Sequence, residues 1–366
     1  MNFKCKKEDI EKAVLKADKI TGKNFSLPVL QCVFIETKKG GVVIKSTNLD
    51  LGLEVHIPAK IIKKGSTTIP SNLLYNFISN LNKNENVEIK EEKGNIEIIS
   101  NKNRATIKTF KKEDFPSIPK IKENKKSKIK TKKLVNSLKS VWFSASTSNI
   151  KPELSSVYIR SEAGKIYFVS TDSFRLSEKS TPGNVEGEFE GILIPQKNIT
   201  EIIRSFDDID EEIVIFFDEN QIAFKSKNIY LLSRIIDGTF PDYNQIIPKE
   251  FISEAIVLKQ DVISALKISN VFTDQLNQTR FKINKKNNTF EIETQNKEYG
   301  FGKSTLKAEI TGESLEINFN HKYVQDCFNS INSESIKFSL AGPGKPMLIQ
   351  GTGDSSYRYI VMPMNK

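Results

Sequence analysis

Two periods of apolar residues run through this chain. Ile10 and Val14, Leu134 and Leu138, and Val262 and Leu266 are each four apart in polar surroundings, as on one buried face of a helix. An apolar run and a polar turn at Thr68-Ile69-Pro70-Ser71-Asn72, Leu193-Ile194-Pro195-Gln196-Lys197 and Ile317-Asn318-Phe319-Asn320-His321 lead into further helical patterns. These predict helices over 71–81, 196–206 and 321–331. Between them the chain alternates with a period of two: Val87-Glu88-Ile89-Lys90 and Asn95-Ile96-Glu97-Ile98 flank a Lys93-Gly94 turn, which predicts a hairpin. The runs 213–217 with 222–224, and 336–340 with 347–349, predict two more.

The landmarks recur every 124 to 125 residues. Ser46-Thr47-Asn48-Leu49 returns as Ser170-Thr171-Asp172-Ser173, and Phe115-Pro116 returns as Phe240-Pro241. Several landmarks in one order and spacing indicate an internal repeat. The chain of 366 residues reads as three α+β units, each two helices against an antiparallel sheet, over 1–120, 128–246 and 252–366. No apolar run is long enough to span a bilayer and the first residues lack a signal peptide's apolar stretch, so a cytoplasmic location is expected.

Charge sharpens the picture once it is located. Lys plus Arg is 55 against 45 Asp plus Glu, a net +10. Seven lysines and one glutamate fall in 122–133, so that stretch carries +6 and the rest only +4. More informative are basic faces on equivalent helices. Lys12, Lys16, Lys19 and Lys23 make one stripe; Lys132, Asn136 and Lys139 share a face; Lys197 and Arg204 are seven apart; Lys259, Lys267 and Lys322 follow in the third repeat. Phosphate contacts of this kind hold DNA without reading its sequence.

Catalytic and metal motifs are weak. Gly300-Phe301-Gly302-Lys303-Ser304 resembles the end of a phosphate loop, but Lys297 stands where its first glycine belongs, and Lys307-Ala308-Glu309-Ile310 alternates like a strand rather than a helix. The acidic run 207–212 lacks calcium-loop spacing and reads as a solvated loop. Cys5, Cys32 and Cys327 are too scattered for a disulfide framework or zinc site, and the only histidines are His56 and His321. The residues leave open a binding or scaffold protein, a monomeric nucleic-acid-binding module and a nucleotide-processing enzyme; no cofactor or metal is expected.

The repeat order, with Leu27-Pro28-Val29-Leu30, Thr171-Asp172-Ser173-Phe174-Arg175-Leu176, Asp237-Gly238-Thr239-Phe240-Pro241-Asp242-Tyr243 and Tyr359-Ile360-Val361-Met362-Pro363-Met364, resembles the bacterial DNA polymerase III beta subunit, the DNA sliding clamp, over essentially the whole chain. The resemblance implies three DNA-clamp domains per chain and a head-to-tail homodimer, whose six domains form a ring around duplex DNA. It implies a non-catalytic processivity factor that tethers the polymerase III alpha subunit, the clamp loader delta subunit, other polymerases and repair proteins through short linear motifs. By resemblance the DNA-facing residues are Lys12, Lys16, Lys19, Lys23, Asn24, Lys132, Lys139, Lys197, Arg204 and Lys267. A partner-peptide pocket is implied at Leu154, Thr171, Ser173, Phe174, Arg175, Leu176, Pro241, Ile246, Tyr323, Pro346, Ile360, Val361, Met362, Pro363 and Met364. The dimer interface is implied to set Ala105, Ile107 and Phe110 against Val271 and Phe272. Ser173-Phe174 stands where the family commonly has Gly-His, so Phe174 is expected to narrow or re-aim the pocket.

Overall fold

A computed structural model describes residues 1–22, 27–121, 126–185, 189 and 191–364. Its helices are α1 (Lys7–Ile20), α2 (Ser71–Ser79), α3 (Thr131–Val141), α4 (Gln196–Phe206), α5 (Lys259–Ser269) and α6 (His321–Asp326). All lie where the periodicity puts them, although α6 is short and tightens into a 3-10 turn over Cys327–Ser330. α1 shows why such segments are helical. Ile10, Ala13, Val14, Ala17 and Ile20 make one buried stripe, Glu8 and Asp9 favour the positive N-terminal end, and the Thr21 N–H caps the Ala17 carbonyl. α6 is capped by Asn320, whose side-chain oxygen accepts from the Lys322 and Tyr323 N–H groups.

The chain divides into two compact units, one of Met1–Val135, Asn184–Gly187 and Lys197–Ile235, the other of Asn136–Gly183, Glu188–Gln196 and Ile236–Lys366. These divisions cut through the sequence repeats because the sheets do. In the first unit a nine-stranded antiparallel sheet joins strand Ile229–Arg234 of the second repeat to Leu51–Pro58 of the first, with Ser233 opposite Leu51. In the second unit another nine-stranded sheet joins Arg175–Pro182 of the second repeat to Tyr357–Val361 of the third, with Arg175 opposite Val361. A strand's own alternation predicts that it pairs, not with which repeat. Each unit also has a smaller sheet, five strands ending at Asn103–Lys108 in the first and four ending at Gly300–Lys307 in the second.

One turn is built three times. The side-chain oxygen of Asn48 accepts from the N–H groups of Asp50 and Leu51, that of Asp172 from Phe174 and Arg175, and that of Asn296 from Glu298 and Tyr299. The spacing is 124 residues each time, so these turns fix the register of the repeats. Leu49 and Ser173 follow in the left-handed region, at φ 76° and 77°. There a residue with a Cβ is strained and glycine is not.

Strand faces toward the helices form the cores. In the third repeat Phe281, Phe290 and Phe338 meet with ring centroids 5.0 to 5.8 Å apart. Val262 and Leu266 of α5 and Val324 of α6 complete this core.

Candidate functional site

The residues implied as a peptide pocket all belong to the second unit, and Arg175 organises them. Its Nε donates to Asp172 at 3.0 Å, one terminal nitrogen pairs with Asp326, and the other donates to the Phe143 carbonyl at 2.8 Å. The guanidinium also lies over the Tyr323 ring, 4.6 Å from its centroid. Burial alone would push this group's pKa down; Tyr359, Asp326 and Asp172 outweigh it, so the pKa lies above the ordinary arginine value. Thr171 Oγ1 donates to the Arg175 carbonyl and accepts from the Ser173 N–H, which holds the left-handed residue in place.

Phe174, exposed at the tip of this turn, stacks on Tyr323 with centroids 6.4 Å apart. The C-terminal segment crosses beside it, the Met362 N–H bonding the Phe174 carbonyl and the Met364 N–H the Asn318 carbonyl, both at 2.8 Å. Met362, Pro363 and Met364 are half-buried. Leu176 and Ile360 form the floor, in one cluster with Leu193, Phe240 and Tyr243. Val361 alternates to the other side of the sheet and is buried in the helix-side core. Leu154 is buried, and Ile246 and Pro241 are exposed. Pro346 precedes Met347, which pairs with Val361. The result is an apolar strip, walled by Phe174 and Tyr323 and edged by one charged group. Such a strip suits a short apolar peptide.

The basic faces carry less free charge than their sequence suggests. The Lys16 ammonium reaches Asp208, Lys132 pairs with Asp210, Lys197 with Asp50, and Arg204 with Glu201. Two carboxylates of the acidic run 207–212 are thus counter-ions to lysines of α1 and α3, a relation that no local motif signals. Lys12, Lys19, Lys139 and Lys267 are exposed, while Lys23 and Asn24 lie outside the described residues.

The Gly-x-Gly-Lys segment is strand. Lys303 pairs with Glu291 and Glu293, and a Cβ on Gly302 would lie 2.6 Å from the Phe272 ring, so the glycine makes room for an aromatic rather than a phosphate. Among the described residues no cluster of three or more His, Cys, Asp or Glu is placed to hold a metal, and no helix is long and apolar enough to cross a membrane. All three cysteines are free and buried, and burial pushes the Cys5 thiol up to about 12 and that of Cys32 to about 11.

The implied interface residues fall at one edge of each smaller sheet. Ala105 and Ile107 lie on the edge strand Asn103–Lys108, with exposed Phe110 just beyond; Phe272 packs on the edge strand Gly300–Lys307, with exposed Val271 beside it. Leu73, Ile268, Leu276, Tyr299 and Phe301 are also large, apolar and exposed. The sequence reading missed them, and only their failure to be buried marks them.

Comparison with known proteins decides the family. Models of the DNA polymerase III beta subunit match in order along the chain: N-terminal domain at 1–119, central domain at 128–242 and C-terminal domain at 244–365. The chain belongs to the DNA polymerase III beta subunit family. It is 27% identical over 375 aligned positions to the beta sliding clamp of Bacillus subtilis, covering 100% of this chain and 99% of that one. A crystal structure of the Bacillus subtilis clamp superposes with a TM-score of 0.93 at 25% identity, over 100% of this chain and 99% of that chain. A sliding clamp of Pseudomonas aeruginosa, solved bound to griselimycin, has the same fold, with a TM-score of 0.95 at 22% identity and full coverage of both chains. As a sliding clamp this protein is a non-catalytic processivity factor of DNA replication.

Proposed function

We propose that two copies of this chain, with domains at 1–120, 128–246 and 252–366, close head to tail into a cytoplasmic ring around duplex DNA, and that partner peptides dock on the strip between Phe174, Tyr323 and residues 362–364. One observation carries the ring: the chain joins its repeats twice by the same device, and the two edges needed for a third join have no strand partner among the described residues. In the first join the Arg234 N–H donates to the Asp50 carbonyl, and in the second the Met362 N–H donates to the Phe174 carbonyl. Each donor lies two residues before a strand-closing bridge or bond, at Ile236 and Met364, and Phe110 is their counterpart in the first repeat. The same register sets the Lys108 N–H of the partner subunit on the Glu298 carbonyl, with Ile107 of the partner subunit opposite Tyr299.

Side chains follow this precedent. Tyr323 lies against Arg175 across the second join; their counterparts at the third are Leu73 of the partner subunit and Tyr299, both exposed. Phe143 lies 6.0 Å from Tyr359, ring to ring; their counterparts are Val271 and Ala105 of the partner subunit. An apolar heterologous contact that closes on itself gives a ring. Exposed Lys12, Lys19, Lys139 and Lys267 supply a weak, sequence-independent field for DNA, and topology supplies retention.

The test is retention on nicked circular DNA. Rings loaded on the circle are expected to co-migrate with it through high salt and to be lost when the circle is linearised. A protein that dissociates equally from both forms, or that sediments as a monomer at micromolar concentration, is not a ring.

A further inference from the structure

A difference at one position between the first helices of the first two repeats opens a crevice. On α1 this position is Lys16, whose ammonium donates to the Ser205 carbonyl at 2.8 Å and to Asp208, filling the space beside the C-terminal end of α4. On α3 it is Ser140, which is too short to reach across. It leaves a cavity of about 650 Å³ between the end of α3 and the turn after α6. The counterpart of Asp208 is Ser333, so the ion pair is missing as a pair. The one carboxylate on the crevice wall, Asp326, is bound to Arg175.

What remains is rich in amides. Asn136, Asn329 and Asn332 line the crevice with no side-chain partner among the described residues, Lys139 stands at its rim, and Trp142 lies along its wall. We infer that this crevice is a contact site for the sugar–phosphate backbone of the duplex in the ring, made by amide donors. This rests on the clamp reading given above. An amide offers two N–H donors to phosphate or sugar oxygens and displaces no condensed counterion. A lysine contact does displace one, so it weakens as salt rises. The crevice therefore adds a hold that salt barely changes, in a chain whose Lys16, Lys132, Lys197 and Arg204 have already spent their charge on acids. A bound cation fits poorly, since both the lysine and the carboxylate of the first join are replaced by serine.

Trp142 is the only tryptophan in the sequence and reports on the crevice directly. Titrating the intact protein with a short blunt duplex is expected to change Trp142 emission in step with the anisotropy of labelled DNA. Replacing Asn136, Asn329 and Asn332 with alanine is expected to weaken duplex binding about tenfold at every salt concentration, with the slope of log affinity against log salt unchanged. Lys12→Ala with Lys19→Ala should instead flatten that slope by about two. Saturating DNA that leaves Trp142 emission unchanged overturns the inference, as does a triple variant that binds like the parent or loses slope. Failure of the ring itself is read separately, from retention on nicked circles. Unchanged retention with a silent Trp142 sinks the crevice and spares the clamp.

Discussion

The Lys16 ammonium lies 2.5 Å from an Asp208 carboxylate oxygen and 2.8 Å from the carbonyl oxygen of Ser205. It ties the first helix of one repeat to the C-terminal end of α4 in the next, where a cation meets both a counter-ion and the negative end of a helix. The side chain is only 11% exposed, so its role is structural rather than DNA-facing. Lys16→Met should lower stability by about 1–2 kcal/mol, shifting the first thermal transition down by about 3–6 °C, with the salt slope of DNA binding unchanged. A slope that drops by about one with no shift in melting would return Lys16 to the DNA-contact set.

The apolar strip predicts separable behaviour of its two walls. Phe174 is 60% exposed and touches Tyr323, so Phe174→Ala should leave the melting temperature within about 1 °C and change the affinity of a clamp-binding peptide by about tenfold. Removing residues 362–366 should abolish peptide binding while sedimentation still shows a dimer. Peptide affinity that survives the truncation would move the docking site elsewhere.

Ser173→Gly probes the strain in the same turn. At φ 77° serine is held by the Thr171 hydroxyl, and glycine accepts this backbone without cost. A gain of about 1 kcal/mol by thermal unfolding is expected; a loss would show that the turn depends on the serine side chain.

The helices and the triple repeat were legible because burial imposes a period on each element and the same landmarks return at one spacing. Ile10, Val14 and Ala17 announce α1 by themselves. The shared sheets were not legible, because nothing in the alternation of 229–234 says that its partner is 51–58. The ion pairs of Lys16 and Lys132 were hidden for a related reason: their acids lie 192 and 78 residues away, in a run that reads locally as solvated loop. Of the docking strip, the turn at 171–176 and the segment 360–364 were recognisable as motifs. The placement of Arg175 between Asp326 and Phe143 needed the fold.

The third join predicts an interface that a single charge breaks. Leu73 and Tyr299 are 52% and 72% exposed, on surfaces that the internal joins pair. Leu73→Glu should convert the protein to monomer at micromolar concentration and abolish retention on nicked circles. Peptide affinity should be kept, since the proposed docking strip lies wholly in the other unit. A Leu73→Glu protein that sediments as the parent would reject the proposed register.

Gly302 tests the same edge from within one chain. An added Cβ would lie 2.6 Å from the Phe272 ring, so Gly302→Ala must move either the ring or the strand. A destabilisation of about 1–3 kcal/mol is expected, with a weaker dimer by sedimentation because the shifted strand is an interface edge. Full stability with an unchanged dimer would mean that Phe272 swings away freely and does not brace this strand.

His321 should set the upper end of the acid sensitivity. It is fully buried at the start of α6 and neither ring nitrogen has a hydrogen-bond partner among the described residues; burial holds its pKa below the usual histidine value, and the nearby Gln325 side chain offsets this only in part. The folded state therefore keeps the ring neutral while the unfolded chain takes up a proton near pH 6.5. Stability is at its full value above that pH and falls as pH drops below it, levelling off once the folded ring also titrates. The carboxylates whose pKa values are held low, such as Glu88 and Asp354, add their losses only below about pH 4.5. His321→Gln, which copies Gln196 at the start of α4, should remove the decline that begins below about pH 6.5 and leave the lower one. Thermal unfolding across that range decides it: an identical slope in parent and variant would place the upper transition on another group.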